Sequence, residues 1–145
     1  MEIGTIEREI YIKASPEVVF DVVSDPRHVE RWWPDEARYE RVAGVPGEIQ
    51  FGDCSAGGKV VAFTVVEAQP PRTFSFRWTH PAGEPATVDN SLLVTFDLVP
   101  SGDGTLLRFS ESGLRDAEEY KEHVTGWDIF LPRLESYAPA ARSLT

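Results

Sequence analysis

The stretch D116-AEEYKEHVTGWDIFLPRLESY-A138 carries Tyr120, Val124, Trp127, Leu131, Leu134 and Ala138 at intervals of three or four residues. That spacing draws one apolar stripe along an α-helix. Asp116 followed by Glu119 resembles a capping box, with aspartate in place of serine or threonine. Pro132 lies inside the pattern and predicts a kink, because proline lacks the backbone donor and crowds the preceding turn. About 25 helical residues would run roughly 38 Å, enough to cross a small domain. A helix this long with one apolar face needs a sheet to lie against.

The sheet is written upstream of it. Strands are expected over residues 3–13, Arg38–Val42, Glu48–Asp53, Lys59–Ala68, Thr73–Thr79, Ser91–Val99 and Thr105–Glu111. The breaks between them are turn-formers: Gly44-Val45-Pro46-Gly47, Gly57-Gly58, Gln69-Pro70-Pro71, Pro81–Pro85 and Ser101-Gly102-Asp103-Gly104. Such short connections favour an antiparallel meander. Between the first strand and the rest, Ser15-Pro16-Glu17 opens one short helix and Asp25-Pro26 a second, which ends near Trp33-Pro34.

Totals narrow the function classes. At 145 residues the chain suits one domain spanning 1–145, and no run approaches the ~20 apolar residues of a membrane span. The N-terminal residues lack the pattern of a signal peptide, so a cytoplasmic location is expected. A net charge of −10, with no basic run, argues against nucleic acid and against an acidic membrane surface. The single cysteine, Cys54, excludes an internal disulfide, and its neighbour Asp53 disfavours a reactive thiolate.

The order strand, two helices, six strands, long helix resembles the START-like superfamily (SRPBCC, the birch-pollen-allergen-type fold). Within it the chain resembles the activator-of-heat-shock-chaperone-ATPase homologues, the AHSA-type family. The matching residues are Ala14-Ser15-Pro16-Glu17-Val18-Val19-Phe20, Trp32-Trp33, Val66-Glu67 and Pro71-Arg72-Thr73-Phe74-Ser75-Phe76-Arg77-Trp78, together with Gly104-Thr105-Leu106-Leu107 and Gly126-Trp127 with Leu131 and Leu134. The resemblance implies an α+β helix-grip fold, a curved antiparallel sheet wrapped around the C-terminal helix. It implies activity far more weakly, because one fold hosts many functions.

Period two places Phe74, Phe76 and Trp78 on one face of a strand. Phe63, Val94, Phe96 and Phe109 on neighbouring strands, with Trp127 and Leu131 on the helix, complete a set of inward candidates. These residues either fill the core or line an apolar cavity between sheet and helix, of the kind that suits small ligands. Of Trp32 and Trp33, one is expected inside and the other at the cavity mouth, since adjacent indoles on a regular element cannot face the same way. The alternative is that both are ordinary packing.

Polar chemistry is sparse. His28, His80 and His123 show no metal spacing and are expected at the surface. No nucleophile elbow, phosphate loop or dinucleotide fingerprint appears, so no metal, cofactor or catalytic residue is assigned. Arg77, Arg108 and Asp97 suit the solvated face of the sheet. Glu111 is the exception: it shares the face of Leu107 and Phe109, and a carboxylate on an apolar wall is a candidate acid or base. The leading expectation is a binding domain for a hydrophobic, lipid-like or amphipathic small molecule. A polyketide cyclase or aromatase-like enzyme, and a chaperone-ATPase regulator or other protein-interaction module, a homodimer included, stand as alternatives.

Overall fold

A computed structural model describes residues 4–52 and 57–141. Cys54 and the end of the expected strand at Asp53 lie outside them. Strand β1 (Thr5–Ile12) is followed by helices α1 (Pro16–Ser24) and α2 (Pro26–Val29). Strands β2 (Glu36–Arg38), β3 (Pro46–Phe51), β4 (Lys59–Gln69), β5 (Thr73–Trp78), β6 (Leu92–Ser101) and β7 (Gly104–Ser112) follow, and helix α3 (Ala117–Tyr137) leads into a short 3-10 turn at Ala138–Ala140. All seven strands form one antiparallel sheet in the order β1-β7-β6-β5-β4-β3-β2. This is the helix-grip architecture.

Local chemistry sets the helix starts. Ser15 Oγ accepts from the Val18 amide at 3.3 Å, and Asp25 Oδ1 accepts from the Arg27 amide at 2.9 Å. Each satisfies an amide that the first turn leaves free, and proline follows each cap where its missing donor costs nothing. Asp116 accepts from the Glu119 amide at 2.8 Å, while Glu119 reaches back to the Arg115 amide at 2.8 Å. Aspartate therefore serves as the cap, while Glu119 reaches the amide one residue before the one a capping box would use. Helix α3 continues past Pro132 and tightens only after Tyr137.

Two expectations need correction. The strand expected over Arg38–Val42 covers only Glu36–Arg38, because Tyr39 turns into the core: its hydroxyl donates to Ser24 O at 2.6 Å and its ring stacks on Phe63 at 4.4 Å. The histidines are not surface residues either. His28 is 2 % exposed and pairs through Nδ1 with the Tyr137 hydroxyl at 2.7 Å. His80 is 6 % exposed, with Nε2 3.2 Å from Thr64 Oγ1, and His123 keeps only 18 % of its side chain accessible.

The interior is aromatic and closely filled. Phe63, Phe74, Phe76, Phe96 and Phe109 are all buried on the concave face, with Phe63 and Phe76 stacked at 4.2 Å and Phe96 and Phe109 at 5.5 Å. Val94 sits between them, paired with Phe76 on one side and Glu111 on the other. Val19, Phe20, Val22 and Val23 of α1 close one end, and burying side chains of this size contributes roughly 1.5–3 kcal/mol each. Leu131 and Leu134 seat α3 on the rest.

Candidate functional site

The site forms where the middle of α3 crosses the β3–β5 end of the sheet. There a groove of about 370 Å³ opens between Phe51 and Val61 on the strands and Gly126 and Phe130 on the helix. Its floor is three indoles. Trp33 lies 5.0 Å from both Trp78 and Trp127, centroid to centroid, and Trp78 lies 6.1 Å from Trp127. Adjacent Trp32 and Trp33 both turn inward because they leave α2 in an irregular turn, where alternation no longer applies. Trp32 donates its indole N–H to Val22 O at 2.8 Å and takes no part in the groove, whereas Trp33 is 7 % exposed and lines it.

Behind the indoles sits one buried carboxylate. Glu111 has no exposed surface. Its Oε2 accepts from Trp78 Nε1 at 2.8 Å, and its Oε1 accepts from Trp127 Nε1 at 2.8 Å and stands 2.7 Å from His123 Nδ1. Three donors from two elements thus converge on one carboxylate, which answers the need to pair any buried charge. With Glu111 accepting, His123 carries its hydrogen on Nδ1. Burial works against a charge on His123, but the hydrogen bond and charge of Glu111, helped by Glu119 and Glu122, outweigh it and raise its pKa.

Three further polar residues line the groove, Lys59, Thr79 and Glu122. Thr79 holds a φ of 70°, a left-handed conformation that a β-branched residue rarely adopts. Its Oγ1 is buried with no hydrogen-bond partner. Strain and an unsatisfied hydroxyl coincide at one residue of the wall.

Among the twelve side chains marked from sequence, the structure therefore brings Trp33, Trp78 and Trp127 together on the groove, with Glu111 directly behind. Trp32, Phe63, Phe74, Phe76, Val94, Phe96, Phe109 and Leu131 pack elsewhere in the core. His123 was missed although it lies four residues before Trp127, on the same helical face. Phe130 and Gly126 escaped because they flank the stripe rather than belong to it. Thr79 gave no signal, since nothing in a threonine announces positive φ.

A larger hollow of about 760 Å³ lies on the opposite face of β4, bordered by Val60, Ala62, Thr64 and His80. It has no Phe, Tyr or Trp in its lining and much of its wall is glycine, alanine and proline, so it offers little to hold a ligand. Among the described residues no group of three or more His, Cys, Asp or Glu side chains is arranged around a metal position. No helix among them is long and apolar enough to cross a membrane.

A curved seven-stranded sheet gripping one long helix defines a START-like domain. Residues 13–138 match the family model described as activator of Hsp90 ATPase homolog 1-like protein, and the chain belongs to that family. Protein MLL2253 from Mesorhizobium loti is similar at 25% identity and a TM-score of 0.77, over 96% of this chain and 99% of that one. The Aha1 dimer from Colwellia psychrerythraea shares the fold at 24% identity and a TM-score of 0.74, over 96% and 98%. DynU16, from the dynemicin biosynthetic locus, shares it at 24% identity and a TM-score of 0.75, over 92% of this chain and 46% of that one. No curated protein matches the chain.

Proposed function

We propose that the domain binds a small molecule with a flat apolar body in the groove between α3 and the β3–β5 end of the sheet. The observation that carries this reading is the groove of about 370 Å³ bordered by three closely packed indoles, Trp33, Trp78 and Trp127, beside Phe51 and Phe130. Indole faces offer large apolar area at little cost in side-chain freedom, and a concave apolar site with a few polar groups suits an amphipathic ligand. The family fold, shared with a protein of a biosynthetic locus, agrees with a small-molecule role. Regulation of a chaperone ATPase, or pairing into a homodimer, rests on the family description and on the Colwellia dimer alone.

Titration of 15N-labelled protein with 4-nitroanisole tests the reading. Saturable shifts in the indole N–H signals of Trp33, Trp78 and Trp127 and in the Gly126 amide, with Trp32 unmoved, support it. Absence of saturation at millimolar probe, or shifts centred elsewhere, removes it.

A further inference from the structure

The groove's polar wall has a direction, and it points to a class of ligand. His123 lines the groove and spends Nδ1 on Glu111 at 2.7 Å, which leaves Nε2 without a partner among the described residues. Glu111 cannot turn away to meet something else, because the indole N–H groups of Trp78 and Trp127 hold it from two sides at 2.8 Å. The imidazole is therefore anchored through one nitrogen and free at the other, the arrangement in which a carboxylate fixes the tautomer and steadies the cation of a proton-accepting histidine. Trp78 lies 5.6 Å from the His123 ring, and Phe51, Trp33 and Phe130 supply the apolar part of the wall, with Lys59, Thr79 and Glu122 as its polar part.

Resting on the reading above, we propose that the groove takes a hydroxyaromatic or enolic compound and holds it as its oxyanion against His123 Nε2. On binding, the O–H bond of the ligand breaks and an N–H bond forms at Nε2. The bonding pair stays on oxygen, and the resulting imidazolium is shared between that oxygen and Glu111. Where His123 is already protonated it donates directly to the anion, and the bound state is the same. Thr79 borders the same groove, and its hydroxyl is buried without a partner.

The surrounding charges define what the test must separate. Glu111 faces His123 from β7, Glu119 and Glu122 lie on its own helix, Glu122 also lines the groove, and Arg115 neutralises Glu119 through a 3.1 Å contact. From β4, Lys59 lines the groove and makes no ion pair among the described residues. An opposite charge within reach of an acid shifts its ionisation by at least about tenfold.

The probe is 4-nitrophenol, whose anion absorbs visibly, with 4-nitroanisole as the analogue lacking the acidic hydrogen. In the wild type both bind and the bound phenol is enriched at least about tenfold in its anion relative to free solution. His123→Gln keeps a donor for Glu111 but cannot take a proton; it abolishes the enrichment, while an unaltered near-ultraviolet circular dichroism spectrum shows that the fold survives. If both probes bind and no enrichment occurs, or if it persists in His123→Gln, the oxyanion assignment is wrong and the groove reading stands. If the enrichment vanishes in Lys59→Gln and not in His123→Gln, the assignment to His123 is wrong. If neither probe binds, both readings fall together.

Discussion

Trp78 on β5 donates its indole N–H to Glu111 on β7, across the intervening β6, at 2.8 Å. The bond ties the groove floor to a fully buried carboxylate of the concave face, and Trp127 and His123 of α3 join the same carboxylate from above. Glu111 is therefore a junction between sheet and helix. Replacing it by alanine leaves two indole donors and an imidazole unpaired, which is expected to cost about 3 kcal/mol or more in urea unfolding. Glu111→Gln keeps part of the hydrogen bonding and is expected to cost less than half as much. Equal losses would mean that packing, not polar pairing, sets the cost.

The same junction makes stability depend on pH with a definite sign. The raised pKa of His123 means that the folded protein holds its proton more tightly than the unfolded chain does. The stabilisation is complete below the ordinary value of 6.5 and disappears as pH rises through the higher folded value. His80 acts in the opposite sense, because burial lowers its pKa and costs stability as pH falls below 6.5. The difference between wild type and His123→Gln in urea midpoints, followed from pH 5 to 9, isolates the first effect. A difference that stays flat across that range would contradict the pairing with Glu111.

Gly126 separates folding from binding. It sits within α3 and lines the groove, and a Cβ built on it meets nothing within 4 Å. Glycine inside a helix costs about 1 kcal/mol relative to a good helix former. Gly126→Leu is expected to raise stability by roughly 0.5–1 kcal/mol, a few degrees in thermal midpoint, while its side chain fills the groove. Calorimetry with 4-nitroanisole should then show affinity lowered at least about tenfold, the scale on which ~1.4 kcal/mol of lost contact is read. Tighter binding in this variant would place the ligand elsewhere.

Thr79→Val removes the unpartnered hydroxyl and keeps the β-branched shape. Because Oγ1 has no partner in the free protein, stability should hold or rise by up to about 1 kcal/mol. A destabilised variant would show that the hydroxyl has an internal partner after all.

Much of the architecture was legible because it depends on period and punctuation. Strands β4 to β7 lie within two residues of their expected bounds, since Gly-, Pro- and Asp-bearing turns mark their ends, and Asp116 and the apolar stripe locate α3. The candidate site was legible only in part. Alternation tells which way Phe74, Phe76 and Trp78 face, but not whether space remains in front of them. The first two meet other rings and the third meets the groove. His123 and Glu111 lie 12 residues apart on different elements, so their contact depends on how α3 is seated, which no local pattern encodes.

The filled interior has a consequence for how such a chain changes over time. Phe63, Phe74, Phe76, Phe96 and Phe109 hold the domain together and never touch the groove, whereas Lys59, Thr79, Gly126 and Phe130 border it and belong to no buried core position. Trp33, Trp78 and Trp127 serve both, since they are buried core positions that also line the groove, whereas the rim residues stand outside the core. Exchanges at the rim therefore reshape the groove with less disturbance to the core than exchanges of the three shared indoles.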